Sequence, residues 1–396
     1  MRVLSVTAQK PCSTGSGVYL TEVVISLAKM GVSQAVVAGV TREDRVDMPE
    51  GVTVYPVYFS SEKLPYPVVG MSDDMPYTST RYRDMTEEMA GQFKAAFLEV
   101  LDEAIEKENP DIILCHHLYY LTALIRAHYP AKKVYGFCHN TDLRQMESIL
   151  FERNFIRQEI PKLDRIFALQ EAQKEKIKKI YPVSEKQMTV IGTGYNSEVF
   201  KKTGIKLSRK DGKIRMIFAG KITQKKGVKS LLRALNLLDY EKEKIQLILA
   251  GGAGNLVEYE EIKELADGCI YPVVFAGCVT QSRLAELYND CDIFVLPSMY
   301  EGLPLTVIES LACGDRVVMT KLEGIAEWLA DMVPDADIRY VLPPGMKGTD
   351  EPLEEELPAF ESRLAEALRE AIEEKDTKEC DVSRISWQKI AREVIR

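Results

Sequence analysis

Glu301 and Glu309, with seven residues between them, sit in the run Asp292-Ile-Phe-Val-Leu-Pro-Ser298-Met-Tyr-Glu301-Gly302-Leu303-Pro304-Leu305-Thr-Val-Ile-Glu309-Ser-Leu-Ala-Cys-Gly314. The apolar stretch up to Leu296 reads as a buried strand, and Pro-Ser breaks it. A short glycine loop then opens a helix, with Pro304 in the first turn and Gly314 at the end. In that geometry the backbone N–H groups of Gly302, Leu303 and Leu305 face the carboxyl edge of a parallel sheet, where a helix N-terminus takes a diphosphate. Glu309 lies one turn beyond Leu305 on the same face, placed to accept from two ribose hydroxyls. Glu301, in the loop itself, reaches a group beyond the phosphates. The bland alternative is a loop carboxylate and a helix-surface carboxylate.

Cations stand close by in sequence. Phe218-Ala-Gly220-Lys221, then Lys225, Lys226 and Gly227, follow another apolar stretch, so Lys221 and Lys226 can offset diphosphate charge. The same lysines, with Lys229, also fit the solvated start of a helix. Near the N-terminus, Thr14-Gly15-Ser16-Gly17 precedes a helix expected over Val18 to Met30. Gly15 and Gly17 either let a ligand approach the backbone or form a simple tight turn. A dinucleotide fingerprint fails here, because Leu20 occupies the third glycine position and the strand ending near Val40 supplies no ribose-binding acid. His139 stands just past a strand expected over Lys133 to Cys138, where an imidazole either hydrogen-bonds a ligand or caps and packs within Cys-His-Asn-Thr-Asp142. His116 and His117 follow another strand end, with packing an equal alternative. Asp290-Cys-Asp292 and Asp335-Ala-Asp337 spell a metal-binding Asp-x-Asp, but Asp292 opens a strand at its amino end and Asp335 to Asp337 read as a turn. No metal or other cofactor is expected.

The elements that must position these residues alternate between short apolar runs and amphipathic stretches, the pattern of α/β doubly wound parallel sheets. Strands are expected over Val3 to Val6, Ala35 to Ala38, Asp111 to Cys115, Lys133 to Cys138 and Arg165 to Leu169. A second set covers Ile214 to Ala219, Gln246 to Ala250, Val273 to Ala276, Asp292 to Leu296 and Arg316 to Met319. Polar Tyr195 to Lys213 between them reads as a linker. Tyr55 to Arg83, rich in tyrosine and proline and carrying Ser-Asp-Asp74, reads as an ordered insertion or long loop, forming an aromatic acceptor pocket or simply packing. The acidic stretch Asp350 to Glu356 reads as a solvated connection.

With 396 residues the chain is long enough for two cores. Its net charge of -9 argues against a nucleic-acid surface, so any phosphate site is a local basic cluster. The eight cysteines, Cys12, Cys115, Cys138, Cys269, Cys278, Cys291, Cys313 and Cys380, lack C-x-x-C spacing and read as buried thiols of a reduced compartment. No signal-peptide core or membrane-length apolar run is visible, so a cytoplasmic location is expected. Lys174 to Lys179 fits a solvated helix or a peripheral contact with an anionic membrane.

Taken in order, these words resemble the retaining family 4 (group 1) glycosyltransferases of the GT-B fold. Glu301 to Glu309 is similar to their E-x7-E motif. Gly220-Lys221 with Lys226-Gly227 is similar to their glycine and cation signature, and Ala250-Gly-Gly-Ala-Gly254 to their glycine-rich turn. Phe275-Ala-Gly277 with Leu-Ala-Glu-Leu-Tyr288, and Ser386-Trp387-Gln-Lys-Ile390, are similar to a following strand and helix and to a terminal helix. The likeness is dense from about Ile191 onward and loose before it. It implies two Rossmann-like domains facing across a cleft. Residues 1–195, joined by a terminal helix at residues 380–396, form the acceptor side, and residues 196–379 form the donor domain. It implies a nucleotide diphosphate sugar as donor, an acceptor of unknown identity, and transfer with retention. Glu309 would bind ribose, Glu301 the sugar hydroxyls, Lys221 and Lys226 the diphosphate, and His139 the region of the donor sugar. Gly15 and Gly17 would border the cleft. Lys221 stands where the family usually has Arg, giving a point charge instead of a bidentate fork. Other outcomes for such a cradle are a GT-B phosphorylase, a sugar-nucleotide epimerase, or a non-catalytic sugar-nucleotide-binding regulator.

Overall fold

Alternating apolar runs and amphipathic stretches build two parallel sheets in this computed structural model, which describes residues 1–11, 13–73, 75–204, 211–253, 255–348, 351–374 and 380–396. Cys12, Asp74, Gly254 and Asp350, residues 205–210 of the expected linker, and residues 375–379 lie outside the described residues. The chain divides into two compact units, residues 1–194 with 387–396, and residues 195–386.

In the first unit, β1 (Arg2–Thr7), β2 (Ser33–Val40), β3 (Thr53–Tyr58), β6 (Ile112–His116), β7 (Lys133–Phe137), β8 (Arg165–Ala168) and β9 (Met188–Val190) form one parallel sheet in the order β3-β2-β1-β6-β7-β8-β9. A small parallel pair, β4 (Val69–Gly70) and β5 (Thr80–Arg81), stands apart. Central strands are apolar on both faces because helices cover both, as in β6, buried along its whole length. The terminal helix Trp387–Val394 belongs to this unit. Trp387 packs edge-on against Tyr19 at 4.9 Å and closes on the backbone of Gly194.

The second unit holds β10 (Ile214–Ala219), β11 (Ile245–Ala250), β12 (Val273–Gly277), β13 (Ile293–Leu296), β14 (Arg316–Thr320) and β15 (Ile338–Val341), all parallel, in the order β12-β11-β10-β13-β14-β15. An antiparallel pair, β16 (Met346–Lys347) and β17 (Glu351–Pro352), lies outside it. In each sheet the strand order reverses once next to the first strand, between β1 and β6 and between β10 and β13. Loops leaving the carboxyl ends of two such strands diverge to opposite faces and open a crevice, the usual ligand position in this architecture.

Several expectations change. Tyr55 to Arg83 is not one long loop, since its start is strand β3. Its tyrosines are largely spent on packing: Tyr66 and Tyr82 are buried, Tyr66 Oη donates to the Met89 carbonyl at 2.7 Å, and Tyr82 meets the Tyr119 ring at 4.9 Å. The helix expected from Val18 begins at Gly15. The expectation of uniformly buried thiols fails at Cys278, which is exposed at the turn after β12, and Cys269 and Cys380 are only half-buried. The Lys174 to Lys179 stretch lies on the helix Glu171–Ile180. Lys174 and Lys178 there pair with Glu171, Glu175 and Glu185, which fits a solvated, ion-paired face. Among the described residues no helix is long and apolar enough to cross a membrane.

Candidate active site

At the second unit's crevice, short backbone bonds fix the turns. Gly220 N–H donates to the Ala250 carbonyl at 2.9 Å, Ile222 N–H to Gly252 at 3.0 Å, and Gly251 N–H to Gly277 at 2.8 Å. The turns leaving β10, β11 and β12 therefore lie side by side. A Cβ on Gly251 would come within 1.7 Å of the Gly220 carbonyl oxygen, so only glycine permits that approach. The next turn, Gln224–Lys226, is capped by Thr223, whose hydroxyl accepts from Lys226 N–H. It is clipped to the loop after β13, where Met299 N–H donates to the Lys225 carbonyl at 2.9 Å, and Gly227 lies against the Pro297 carbonyl. The clip brings Lys226 Nζ to 2.6 Å from Glu301 Oε1, with the two side chains 26% and 13% exposed. Contact with water is limited there, so screening is weaker than for a surface pair.

Past Glu301 the helix Leu305–Ala312 begins. Pro304 is its N-cap, one position before the first turn expected for it, and no side chain caps this end. Proline supplies neither a side-chain acceptor nor an N–H, so the positive end of the short helix is left to backbone groups and to whatever anion approaches. Leu303 is buried, which leaves its backbone as the part able to meet a ligand, while Gly302 and Leu305 are half-buried. Glu309 is buried on this helix, and Gly314 follows its Cys313 cap. Tyr288 lies nearby, its phenol pushed far up by burial and then by the charge of Glu309. Lys221 is half-buried just past β10.

The first unit gathers His116, His117 and His139 at its own crevice. His116 ends β6, and His139 follows β7 by two residues. His116 Nδ1 and His139 Nε2 are 3.0 Å apart, and the two rings stack at 5.3 Å with 12° between planes. Tyr19 packs edge-on against His139 at 5.2 Å, and its hydroxyl donates to the Gly192 carbonyl. Burial pushes the His116 imidazole down to about 3 and also pulls His117 and His139 below their ordinary value, so the three rings are neutral near pH 7. His117 and Asn140 take positive φ angles of 75° and 73° without being glycine. Such backbone is costly and clusters where geometry serves a ligand.

Gly15 and Gly17 form the first turn of the helix Gly15–Lys29, where the Thr14 hydroxyl accepts from Gly17 N–H at 3.1 Å. Neither residue takes a positive φ, and a Cβ on Gly15 would meet nothing within 4 Å. A tight turn is therefore not what calls for Gly15. Gly15→Ala is expected to leave the melting temperature unchanged or slightly raised, since alanine is the better helix former by about 0.5–1 kcal/mol. Weaker ligand binding by a variant of unchanged stability would mark close approach of a ligand; a fall in melting temperature would return Gly15 to a structural role.

Residues 13–199 match the family described as Glycosyltransferase Family 4, and residues 200–378 match Glycosyl transferases group 1. The chain belongs to the family 4, group 1 glycosyltransferases. It is 28% identical over 172 residues to an uncharacterized glycosyltransferase of Methanocaldococcus jannaschii, which covers 41% of this chain and 44% of that protein. The chain aligns with only about half the length of the curated relatives it matches. Among solved structures, the sucrose-phosphate synthase of Thermosynechococcus elongatus is similar with a TM-score of 0.70 at 16% identity, covering 99% of this chain and 97% of that one. Anabaena HepE in complex with UDP-glucose reaches 0.63 at 15% identity, covering 100% and 98%. With the two parallel sheets, these likenesses make the fold GT-B.

In this family 4 chain the residues singled out by sequence fall into two sets. Lys221, Lys226, Glu301 to Leu305 and Glu309 belong to the second unit, on the chain that follows β10 and β13, and Lys226 and Glu301 meet there; Gly15, Gly17 and His139 belong to the first unit. In the Asp-x-Asp stretches, Asp290 pairs with the Arg215 guanidinium, Asp292 accepts from the Arg215 backbone N–H at 2.9 Å, and Asp337 lies 2.6 Å from Arg339 and 3.3 Å from Arg316. Asp292 precedes β13 instead of opening it. Asp142 is a residue that sequence reasoning missed: its buried carboxylate accepts from Leu118 N–H at 2.7 Å and His139 N–H at 3.2 Å. It ties together the chain leaving β6 and the chain leaving β7. Its position in the first turn of the helix Thr141–Ser148 was the available signal, since acids favour that place.

Proposed function

We propose that the chain transfers a sugar from a nucleotide diphosphate donor to an acceptor, with retention at the anomeric carbon and without a divalent metal. The observation that carries this reading is the Lys226–Glu301 contact beside the uncapped helix that bears Glu309. Lys226 and the backbone N–H groups of Gly302, Leu303 and Leu305 hold the diphosphate, and Glu309 accepts from the ribose. As the bond between the anomeric carbon and the phosphate oxygen breaks, negative charge grows on the diphosphate. Once the donor has drawn Lys226 from Glu301, Lys226 and the helix N-terminus lie beside the diphosphate, so little further reorganisation accompanies the growth of charge. Glu301 orients the sugar hydroxyls, and family membership assigns His139 to the donor sugar. Retention and the donor class rest on family membership. HepE, a structural neighbour, was solved with UDP-glucose, which makes that compound the first donor to try.

The metal reading rests on Arg215, Arg316 and Arg339 lying against Asp290 and Asp337, on Asp292 holding the Arg215 backbone, and on Lys226 at the proposed diphosphate site. A thermal-shift screen of nucleoside diphosphates and their sugars identifies the donor. A nucleotide present at about 100 times its Kd adds about 2.7 kcal/mol of apparent stability. Transfer is then followed on dialysed enzyme with excess EDTA, and proton NMR reads the first-formed anomer. Full activity in EDTA with a retained anomer is expected. Inversion, or activity lost in EDTA and restored by magnesium or manganese, overturns the corresponding part.

A further inference from the structure

We propose that His116 is a positioning residue that fixes the tautomer of His139, donating from its own Nδ1–H to His139 Nε2 so that His139 carries its proton on Nδ1. The inference builds on the reading of His139 as a donor-sugar residue, but the tautomer is measurable without any reaction. Both rings are neutral, so one proton lies in the 3.0 Å contact, and two arrangements compete.

In one arrangement His139 donates, and His116 must then carry its proton on Nε2. That atom is buried and has no hydrogen-bond partner. A buried N–H without an acceptor is among the rarest defects of folded proteins, because nothing replaces the water it lost. In the other arrangement His116 donates from Nδ1 and leaves only a lone pair at the buried Nε2, the milder defect. The surroundings hold the His116 ring in place for this. It stacks on Phe137 at 4.8 Å with 17° between planes, and Tyr19 packs edge-on at 6.2 Å. Asp142 separately fixes the backbone of His139. With Nε2 engaged as acceptor, His139 presents Nδ1–H, a donor suited to a hydroxyl oxygen or to growing negative charge. Without His116, either tautomer of His139 is open, and one of them offers a lone pair instead.

The test uses the full chain and two substitutions. His116→Phe keeps a flat ring on Phe137 and removes the donor; His116→Asn places an amide N–H close to the former Nδ1. With four histidines in the chain, nitrogen-15 imidazole spectra are assignable by single substitution. The expected result is Nδ1–H at His139 in the parent, a mixture or Nε2–H in His116→Phe, and recovery of Nδ1–H in His116→Asn. Release of UDP from UDP-glucose should fall about 10- to 100-fold in kcat for His116→Phe with little change in KM, as for other ligand-orienting partners, and recover substantially in His116→Asn. The proposal is overturned by Nε2–H at His139 in the parent protein, a spectrum that needs no variant to fold. An unchanged His139 tautomer in His116→Phe, or equal impairment of the two variants, overturns it as well. Should the tautomers behave as stated while His139→Gln retains full turnover, the donor-sugar role of His139 fails and the positioning contact stands.

Discussion

Glu301→Gln is expected to bind free UDP about 10-fold more tightly than the parent while losing about 100-fold or more in turnover of UDP-glucose. Two opposite effects from one substitution follow from the 2.6 Å contact between Lys226 Nζ and Glu301 Oε1. Before Lys226 can serve a diphosphate it must give up much of this shielded, charge-assisted bond, a contribution of about 1.5–3 kcal/mol. A complete donor compensates, because its sugar hydroxyls take the place of Lys226 on the carboxylate. Free UDP brings no sugar and leaves the carboxylate beside added negative charge. The neutral amide removes both penalties, so UDP gains; it also weakens the grip on the sugar during transfer, so turnover falls. Lys226→Ala supplies the contrast, since it should weaken UDP and UDP-glucose alike. Calorimetry and initial rates decide: unchanged or weaker UDP affinity in Glu301→Gln would show that the pair does not oppose diphosphate binding.

How much of this arrangement is legible before folding depends on where each element lies in its sheet. β1, β6, β10, β11, β13 and β14 are covered on both faces, so they are written as unbroken apolar runs such as Ile-Phe-Val-Leu, and their ends fall within a residue or two of the expected ones. Within the two main sheets the strands that escape notice, β3, β9 and β15, are all edges. An edge strand needs only one hydrogen-bonded neighbour and one well-covered face, so β3 tolerates Pro56 and β15 places Arg339 and Tyr340 between apolar residues. The site shows the same division. Glu301, Glu309 and Lys226 are legible because fixed local spacing places them at a helix start or in a turn. The Lys226–Glu301 contact spans 75 residues and the His116–His139 contact 23; the first arises where the strand order reverses between β10 and β13 and the second where β6 and β7 lie side by side, information that no local pattern contains. Asp142 is hidden for a related reason: a carboxylate in a first helical turn looks like an ordinary N-terminal acid, and its burial depends on β6 and β7 lying side by side.

Gly227→Ala is expected to remove about 2–5 kcal/mol of stability and to dismantle the Lys226–Glu301 contact, although residue 227 carries no chemistry itself. Two costs combine. The residue holds a φ of 74°, where a Cβ costs about 1–2 kcal/mol. That Cβ would also lie 2.0 Å from the Pro297 carbonyl oxygen, which is backbone and cannot rotate away, and overpacking of this kind costs about 1–3 kcal/mol. For a unit of this size, the sum corresponds to a melting temperature lower by roughly 4–20 °C. The strain is relieved only by parting the Gln224–Lys226 turn from the loop after β13, which breaks the bond from Met299 N–H to the Lys225 carbonyl and draws Lys226 away from Glu301. UDP affinity should therefore fall even at temperatures where the variant is fully folded. Gly15→Ala is the matched control for stability alone, because its Cβ enters open space at an ordinary φ. Calorimetric melting and UDP titration of both variants separate the outcomes: a Gly227→Ala protein with parental stability and parental UDP affinity would show that the close packing of the two loops does not hold the lysine in place.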